Sequence, residues 1–175
     1  MRRAEELVSA RCFLCHGAAG ESSSPLYPKI AGQNAEYIIK QLRNFKSGER
    51  QSNDMRKVAP DLSESDIKAL ATFFSRQNTS PGKSAFPEMR AIGEKIYTNG
   101  NPATGVPPCM KCHGEKANGS ANLPRIAGQH TLYIETQLVL FEERRRTNDN
   151  AQMQEVANKM SPDEMRAVAE YLSGL

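Results

Sequence analysis

The sequence predicts an all-α fold built as two similar helical halves, and three observations carry that prediction. No Val/Ile-rich stretch alternates apolar and polar residues as a strand would. Apolar residues recur instead at helical spacing in several segments. Those segments, and the motifs between them, occur twice in the same order along the 175 residues.

Taken in order, a short helix over 4–10 leads directly into Cys12-Phe13-Leu14-Cys15-His16, and its counterpart lies over 88–97. In the second half a Gly/Pro-rich stretch, 99–108, delays the matching motif Cys109-Met110-Lys111-Cys112-His113. A second helix is expected over 34–46, with Tyr37, Ile38, Gln41, Leu42 and Phe45 on or beside one face, and 130–143 repeats it. The last helix of each half has a marked start. Ser63 with Asp66 reads as a capping box, and Ser161-Pro162-Asp163-Glu164 adds proline at the first helical position. Ile67, Leu70, Ala71 and Phe74 form the apolar stripe of one last helix, and Met165, Val168, Ala169 and Leu172 that of the other. The duplication predicts a first domain over 1–79, a polar, Pro/Gly-containing linker over 80–87 and a second domain over 88–175.

The two pentapeptides use all four cysteines and two of the three histidines. Their spacing is that of c-type haem attachment. Two thiols three residues apart reach the two vinyl groups of one porphyrin, and the next residue presents an imidazole to the iron. Cys12, Cys15 and His16 are therefore the candidate attachment set of one haem, and Cys109, Cys112 and His113 that of a second. A CxxC can also be a redox disulfide or half of a zinc site. A thioredoxin-like site would sit beside a βαβ pattern, which the sequence does not carry. A zinc ribbon would join its pairs across about 15 to 20 residues. Here they begin 97 positions apart.

The iron of a carrier takes methionine, histidine or nothing as its sixth ligand. Met55 and Met153 each lie seven residues before matching positions, Leu62 and Met160, and no other methionine pair aligns in this way. They are the candidate sixth ligands, while His130, opposite Asn34 in the repeat, reads as a surface residue. Pro28 and Pro124 place a loop whose carbonyl could accept the proximal imidazole N–H, and Gly32 and Gly128 allow a tight turn against a porphyrin. Arg50 and Arg146 either approach a propionate or lie in solvent.

Composition narrows the function classes. A half of about 85 residues is small for an independent core. With 38% hydrophobic residues and no Trp, each half would gain apolar volume from a covalently held porphyrin. No apolar run is long enough to span a membrane. Net charge is +3, with 13 Lys/Arg against 9 Asp/Glu over 1–83 and 10 against 11 over 84–175. Each haem would subtract up to about 2 charges through its propionates, so the basic balance does not argue for nucleic acid. The first residues lack the apolar core of a secretory signal. Covalent haem attachment in bacteria takes place outside the cytoplasmic membrane, so a periplasmic location is expected, with the export signal absent from this chain.

CxxCHG, the run P-x-I-A-G-Q-x-x-x-Y-I-x-x-Q-L-x-x-F, an Asn-Asp pair, a methionine and a capped final helix are all present twice. That combination resembles the two-haem cytochrome c4 family over nearly the whole chain. The resemblance implies two tandem class I cytochrome c domains related by pseudo-twofold symmetry, each around one covalent haem c. It implies His16 with Met55, and His113 with Met153, as iron ligands. It also implies single-electron transfer between redox-protein donors and acceptors in the periplasm, often towards a membrane-bound terminal oxidase. Two rivals stand beside the carrier: a dihaem enzyme, either a peroxidase or a sulfur-compound dehydrogenase, and an electron-transfer subunit of a larger redox complex. No acid/base pair, Ser-His-Asp order or phosphate-cradling glycine loop accompanies either motif.

Overall fold

The structure, a computed structural model, describes residues 2–175, and no β-strand occurs among them. It divides into two compact units, one running to Thr79 and including 121–124, the other comprising 80–120 and 125–175. None of the helices is long and apolar enough to cross a membrane.

In the first unit α1 spans Arg2–Leu7 and passes through a π turn, Val8–Cys12, into α2, Phe13–His16. The Phe13 N–H donates to the Val8 carbonyl five residues back, so the helix predicted over 4–10 continues to the histidine with one wider turn. Helix α3 covers Ala35–Ser47, α4 Met55–Val58 and α5 Glu64–Ser75. The core joins Leu7 and Val8, Ile38 of α3, and Leu62, Ile67, Leu70, Ala71 and Phe74. The full apolar stripe read from the last helix is thus buried. Ser63 and Asp66 close the predicted capping box, and Arg3 of α1 reaches across to Asp66 at 2.8 Å.

The second unit repeats the plan with α6 over Arg90–Asn99, α7 Met110–His113, α8 Thr131–Glu142, α9 Gln152–Ala157 and α10 Pro162–Ser173. Gly93 allows α6 to cross closely over α10, because a Cβ there would overlap the Ala167 carbonyl. The 99–108 stretch separates α6 from α7 where the first half has a continuous helix, and it is folded. Asn101 and Val106 exchange backbone hydrogen bonds of 2.9 and 3.1 Å, and Asn101 Nδ2 donates to Glu164 Oε1 at 2.6 Å. Residues 80–87 are bonded into this unit. Ser84 Oγ and the Phe86 N–H both donate to the buried Glu170 carboxylate, and Ser173 Oγ donates to the Lys83 carbonyl.

Candidate functional site

At 100° per residue, Cys12, Cys15 and His16 project from one face of the α1–α2 helix, and Leu14 points the opposite way. Solvent exposure follows that geometry, since Leu14 is 92% exposed while Cys12, Cys15 and His16 are each half-buried. The thiols of Cys12, Cys15, Cys109 and Cys112 are all free. Burial pushes Cys12 up to about 11, and Cys109 likewise to about 11, so both are protonated thiols at neutral pH. Among the described residues, no group of three or more His, Cys, Asp or Glu side chains converges as a tetrahedral zinc site needs.

The His16 ring is fixed by its surroundings. Its Nδ1 lies 2.9 Å from the Pro28 carbonyl oxygen. A carbonyl can only accept, so Nδ1 carries the proton and Nε2 keeps its lone pair. Burial holds the imidazole below its usual pKa, with the Pro28 hydrogen bond opposing, which favours the neutral, ligating form. The loop before Pro28 folds over the motif. Ser22 Oγ donates to the Cys15 carbonyl at 2.7 Å, and the Tyr27 ring meets the His16 ring edge-on with centroids 6.4 Å apart. The Tyr27 hydroxyl is raised by Cys15 and then by Asp54, so the segment leading into Met55 borders the same place.

Both methionines are half-buried on short helices that are reached by different turns. Met55 opens α4, half-buried, and its N–H donates to Ser52 Oγ at 3.2 Å. Met153 lies in α9 against the second core, and its N–H donates to Asp149 Oδ2 at 2.6 Å. Asp54 and Met55 are adjacent, whereas 150–152 separate Asp149 from Met153, and that stretch turns through left-handed backbone at Asn150 and Ala151, with φ of 57° and 63°. In the second motif His113 is buried, Cys109 and Met110 pack on the same core as Met153, and Cys112 is exposed. Tyr97 Oη donates to the Gly114 carbonyl at 2.5 Å. Burial, with Cys109 and Tyr171 nearby, raises the Tyr97 hydroxyl strongly. Its position in the first half is Val8, so the repeat pattern gives no sign of it.

Other positions read from the sequence are placed more sharply. His130 is the half-buried cap of α8. Gly32 and Gly128 do take left-handed φ, 61° and 66°, but they donate N–H to the Phe74 and Leu172 carbonyls. A side chain at Gly32 would meet Thr79, so the close neighbour that this turn accommodates is the chain itself. Arg50 and Arg146 are buried, not in solvent. Arg50 donates to Gln41 Oε1 at 2.7 Å and lies 4.7 Å over the Phe45 ring; Arg146 donates to Gln137 Oε1 at 2.8 Å and lies 4.5 Å over Phe141. Each arginine sits nine residues beyond its glutamine, across a loop, a spacing that helical periodicity does not relate.

Similarity to known proteins agrees with this geometry. Residues 91–175 match the family model described as cytochrome c, and residues 1–74 match that of cytochrome c oxidase, cbb3-type, subunit III. Cytochrome c4 of Thiocapsa roseopersicina is 40% identical across 98% of this chain and 90% of its own length. The chain belongs to the cytochrome c4 family. The crystal structure of reduced recombinant cytochrome c4 from Pseudomonas stutzeri superposes with a TM-score of 0.92 at 35% identity, covering 98% of both chains. A thiosulfate dehydrogenase electron acceptor from Thiomonas intermedia is 35% identical over 94% of this chain and 78% of its own. As a member of the cytochrome c4 family, the chain is a c-type electron-transfer cytochrome whose cofactor is covalent haem c. The first motif fits that group, with two free thiols and an available imidazole Nε2 on one helical face.

Proposed function

We propose that the chain holds two haem c groups and passes single electrons between respiratory partners in the periplasm, with a terminal oxidase as acceptor. Cys12 and Cys15 attach the first haem, with His16 and Met55 as its iron ligands. Cys109 and Cys112 attach the second, with His113 and Met153. The observation that carries this reading is the Nδ1–H of His16 committed to the Pro28 carbonyl, which leaves Nε2 for iron beside two free thiols.

When bound, haem supplies a one-electron Fe(III)/Fe(II) couple; the chain contributes ligation, burial and fixed charge. The Pro28 carbonyl orients the proximal ring, and the Ser52 hydroxyl and Asp149 carboxylate hold the backbone N–H groups of Met55 and Met153. A filled sixth position keeps small molecules off the iron, so the protein acts as a carrier and not as an enzyme. A second acceptor role is favoured by the relative named as a thiosulfate dehydrogenase electron acceptor: receipt of electrons from a sulfur-compound dehydrogenase, as a free protein or as a subunit of its complex.

The test is a haem count by mass with optical spectra of both oxidation states, with and without carbon monoxide. Two haems per chain and unchanged spectra under carbon monoxide are expected. Met55→Ala and Met153→Ala should each open one iron to carbon monoxide. One haem, or rapid carbon monoxide binding by the unsubstituted protein, overturns the closed two-centre carrier.

A further inference from the structure

We infer that Asp149 sets the second centre apart from the first: it positions Met153, and its carboxylate lowers the reduction potential of the iron that Met153 holds. This inference rests on the reading of Met153 as an iron ligand given above. Asp149 Oδ2 accepts the Met153 N–H at 2.6 Å, across the left-handed backbone at Asn150 and Ala151. The sulfur of a methionine stands only four bonds from its own backbone nitrogen. The carboxylate is thus tied to the very residue that would meet the iron. Its other oxygen, Oδ1, is buried, and no donor among the described residues reaches it.

A hydrogen bond from an amide is strengthened by the charge of a carboxylate but does not cancel that charge. No cation pairs with Asp149 among the described residues. The buried guanidinium three positions back, that of Arg146, donates to Asn148 Oδ1 at 3.3 Å and to Gln137 Oε1 at 2.8 Å. A negative charge withdrawn from water is felt more strongly by its surroundings than one that water and ions screen. It stabilises ferric iron, the more positive state, and so opposes the arrival of an electron.

The first unit puts no such charge on its methionine. The Met55 N–H donates to the neutral Ser52 hydroxyl at 3.2 Å, and Asp54 is exposed to solvent. The buried arginines, by contrast, are matched, since Arg50 and Arg146 each lie over a phenylalanine and donate to a glutamine. The cations therefore act alike in the two units, and the carboxylate does not. Both halves carry the same Asn-Asp pair, Asn53-Asp54 and Asn148-Asp149. What differs is the spacing: residues 150–152 let the second aspartate reach the methionine's own N–H, while the first, adjacent to Met55, points its carboxylate to water.

The experiment is a redox titration of the haem-loaded full chain with small mediators, in which one electron from dithionite converts each ferric iron to ferrous and no bond is made or broken. Proton NMR reads each haem through the methyl signal of its ligand methionine, assigned by its loss in Met55→Ala or Met153→Ala. Asp149→Asn keeps an oxygen for the Met153 N–H and removes the charge. At a fixed potential it should raise the ferrous-to-ferric ratio of the second haem at least about threefold, which is about 28 mV at about 59 mV per tenfold. The first haem should stay where it was, and carbon monoxide should still be excluded. Asp149→Ala removes the acceptor as well, and it should add carbon monoxide binding at the second iron to the same rise. Ser52→Asp supplies the first unit with the missing charge and should lower that haem's ratio at least about twofold. This variant decides the matter even where the Asp149 variants fail to load haem. An unmoved second haem in Asp149→Asn, equal shifts at both haems, or an unmoved first haem in Ser52→Asp overturns the inference. One haem, or carbon monoxide binding by the unsubstituted protein, overturns the ligand reading instead, so the two failures are distinguishable.

Discussion

Gly20 lies where a Cβ would come within 2.9 Å of Phe74 Cδ1, and the equivalent pair in the second unit is Ala117 and Leu172. The equivalence rests on hydrogen bonds. The Gly20 carbonyl accepts from Ile30 and Ala31, and the Ala117 carbonyl from Ile126 and Ala127. Both residues take positive φ, 83° for Gly20 and 52° for Ala117. The larger aromatic side chain stands with the residue that has no Cβ, and the smaller leucine with alanine.

Gly20→Ala should therefore destabilise the first unit. Its Cβ would also stand 2.7 Å from the Ala31 nitrogen, so overpacking adds to left-handed strain, for a combined loss of about 2 to 4 kcal/mol. Ala117→Gly relieves the same strain and should change stability by less than about 1 kcal/mol. Denaturant unfolding of the two variants decides this, and equal losses would contradict the pairing.

The buried arginines should influence both stability and potential. Arg50→Leu removes the donor to Gln41 and the cation over Phe45, a loss of about 1 to 3 kcal/mol. A buried positive charge disfavours the more positive ferric state, so on the two-haem reading proposed above the haem held at Cys12 and Cys15 should titrate at a lower reduction potential in the variant. Arg50→Lys should recover little, because an ammonium does not reproduce the planar stack with its directed N–H. A potentiometric titration with no shift in either variant would remove Arg50 from the electrostatics of that haem.

How legible these features were depended on the distance over which each is determined. The stripe Ile67, Leu70, Ala71 and Phe74 and both capping boxes are set within one helix, and they form as read. The attachment motifs are equally local. The π turn at Val8–Cys12 was not legible, because it differs from an α turn only in one hydrogen bond. Burial of Arg50 and Arg146 depends on a loop returning each guanidinium to its own helix's glutamine and phenylalanine, which composition records only as a surface-type residue. In the sequence 99–108 shows only as a Gly/Pro-rich stretch that delays the second motif; that Glu164, far along the chain, holds it through Asn101 is a tertiary contact no local pattern records.

Acid should weaken the first unit through Asp66. The Arg3 guanidinium, then the Ser63 hydroxyl and N–H, hold its carboxyl well below the usual carboxylate range. A pKa lowered by folding contributes stability that is fully present above the unfolded value, about 3.9, and is lost as pH falls towards the folded one. Between pH 5 and pH 2.5 the unfolding midpoint of Asp66→Asn should therefore fall less steeply than that of the unsubstituted chain. At pH 7 the variant should be the less stable of the two. Parallel pH profiles would show that Asp66 gains nothing from its partners.

Glu170 should govern how firmly 80–87 is held. The residue is 1% exposed, and one oxygen, Oε2, accepts from both Ser84 Oγ at 2.6 Å and the Phe86 N–H at 3.2 Å. Removing that acceptor leaves a hydroxyl and a backbone amide without their partner, at a cost of about 1 to 3 kcal/mol for each group that stays buried. The segment can avoid this loss by lifting into water, which makes local release, not global unfolding, the expected response of Glu170→Ala. Limited proteolysis should then cut within 80–87 several times faster than in the unsubstituted protein, while the unfolding midpoint moves little. Glu170→Gln keeps one carbonyl oxygen and should be nearly as resistant as Glu170, whereas Ser84→Ala removes one of the two bonds and should fall between. If cleavage in Glu170→Ala stays at the original rate, the carboxylate is not what holds the segment, and Ser173 with its bond to the Lys83 carbonyl is the next anchor to remove.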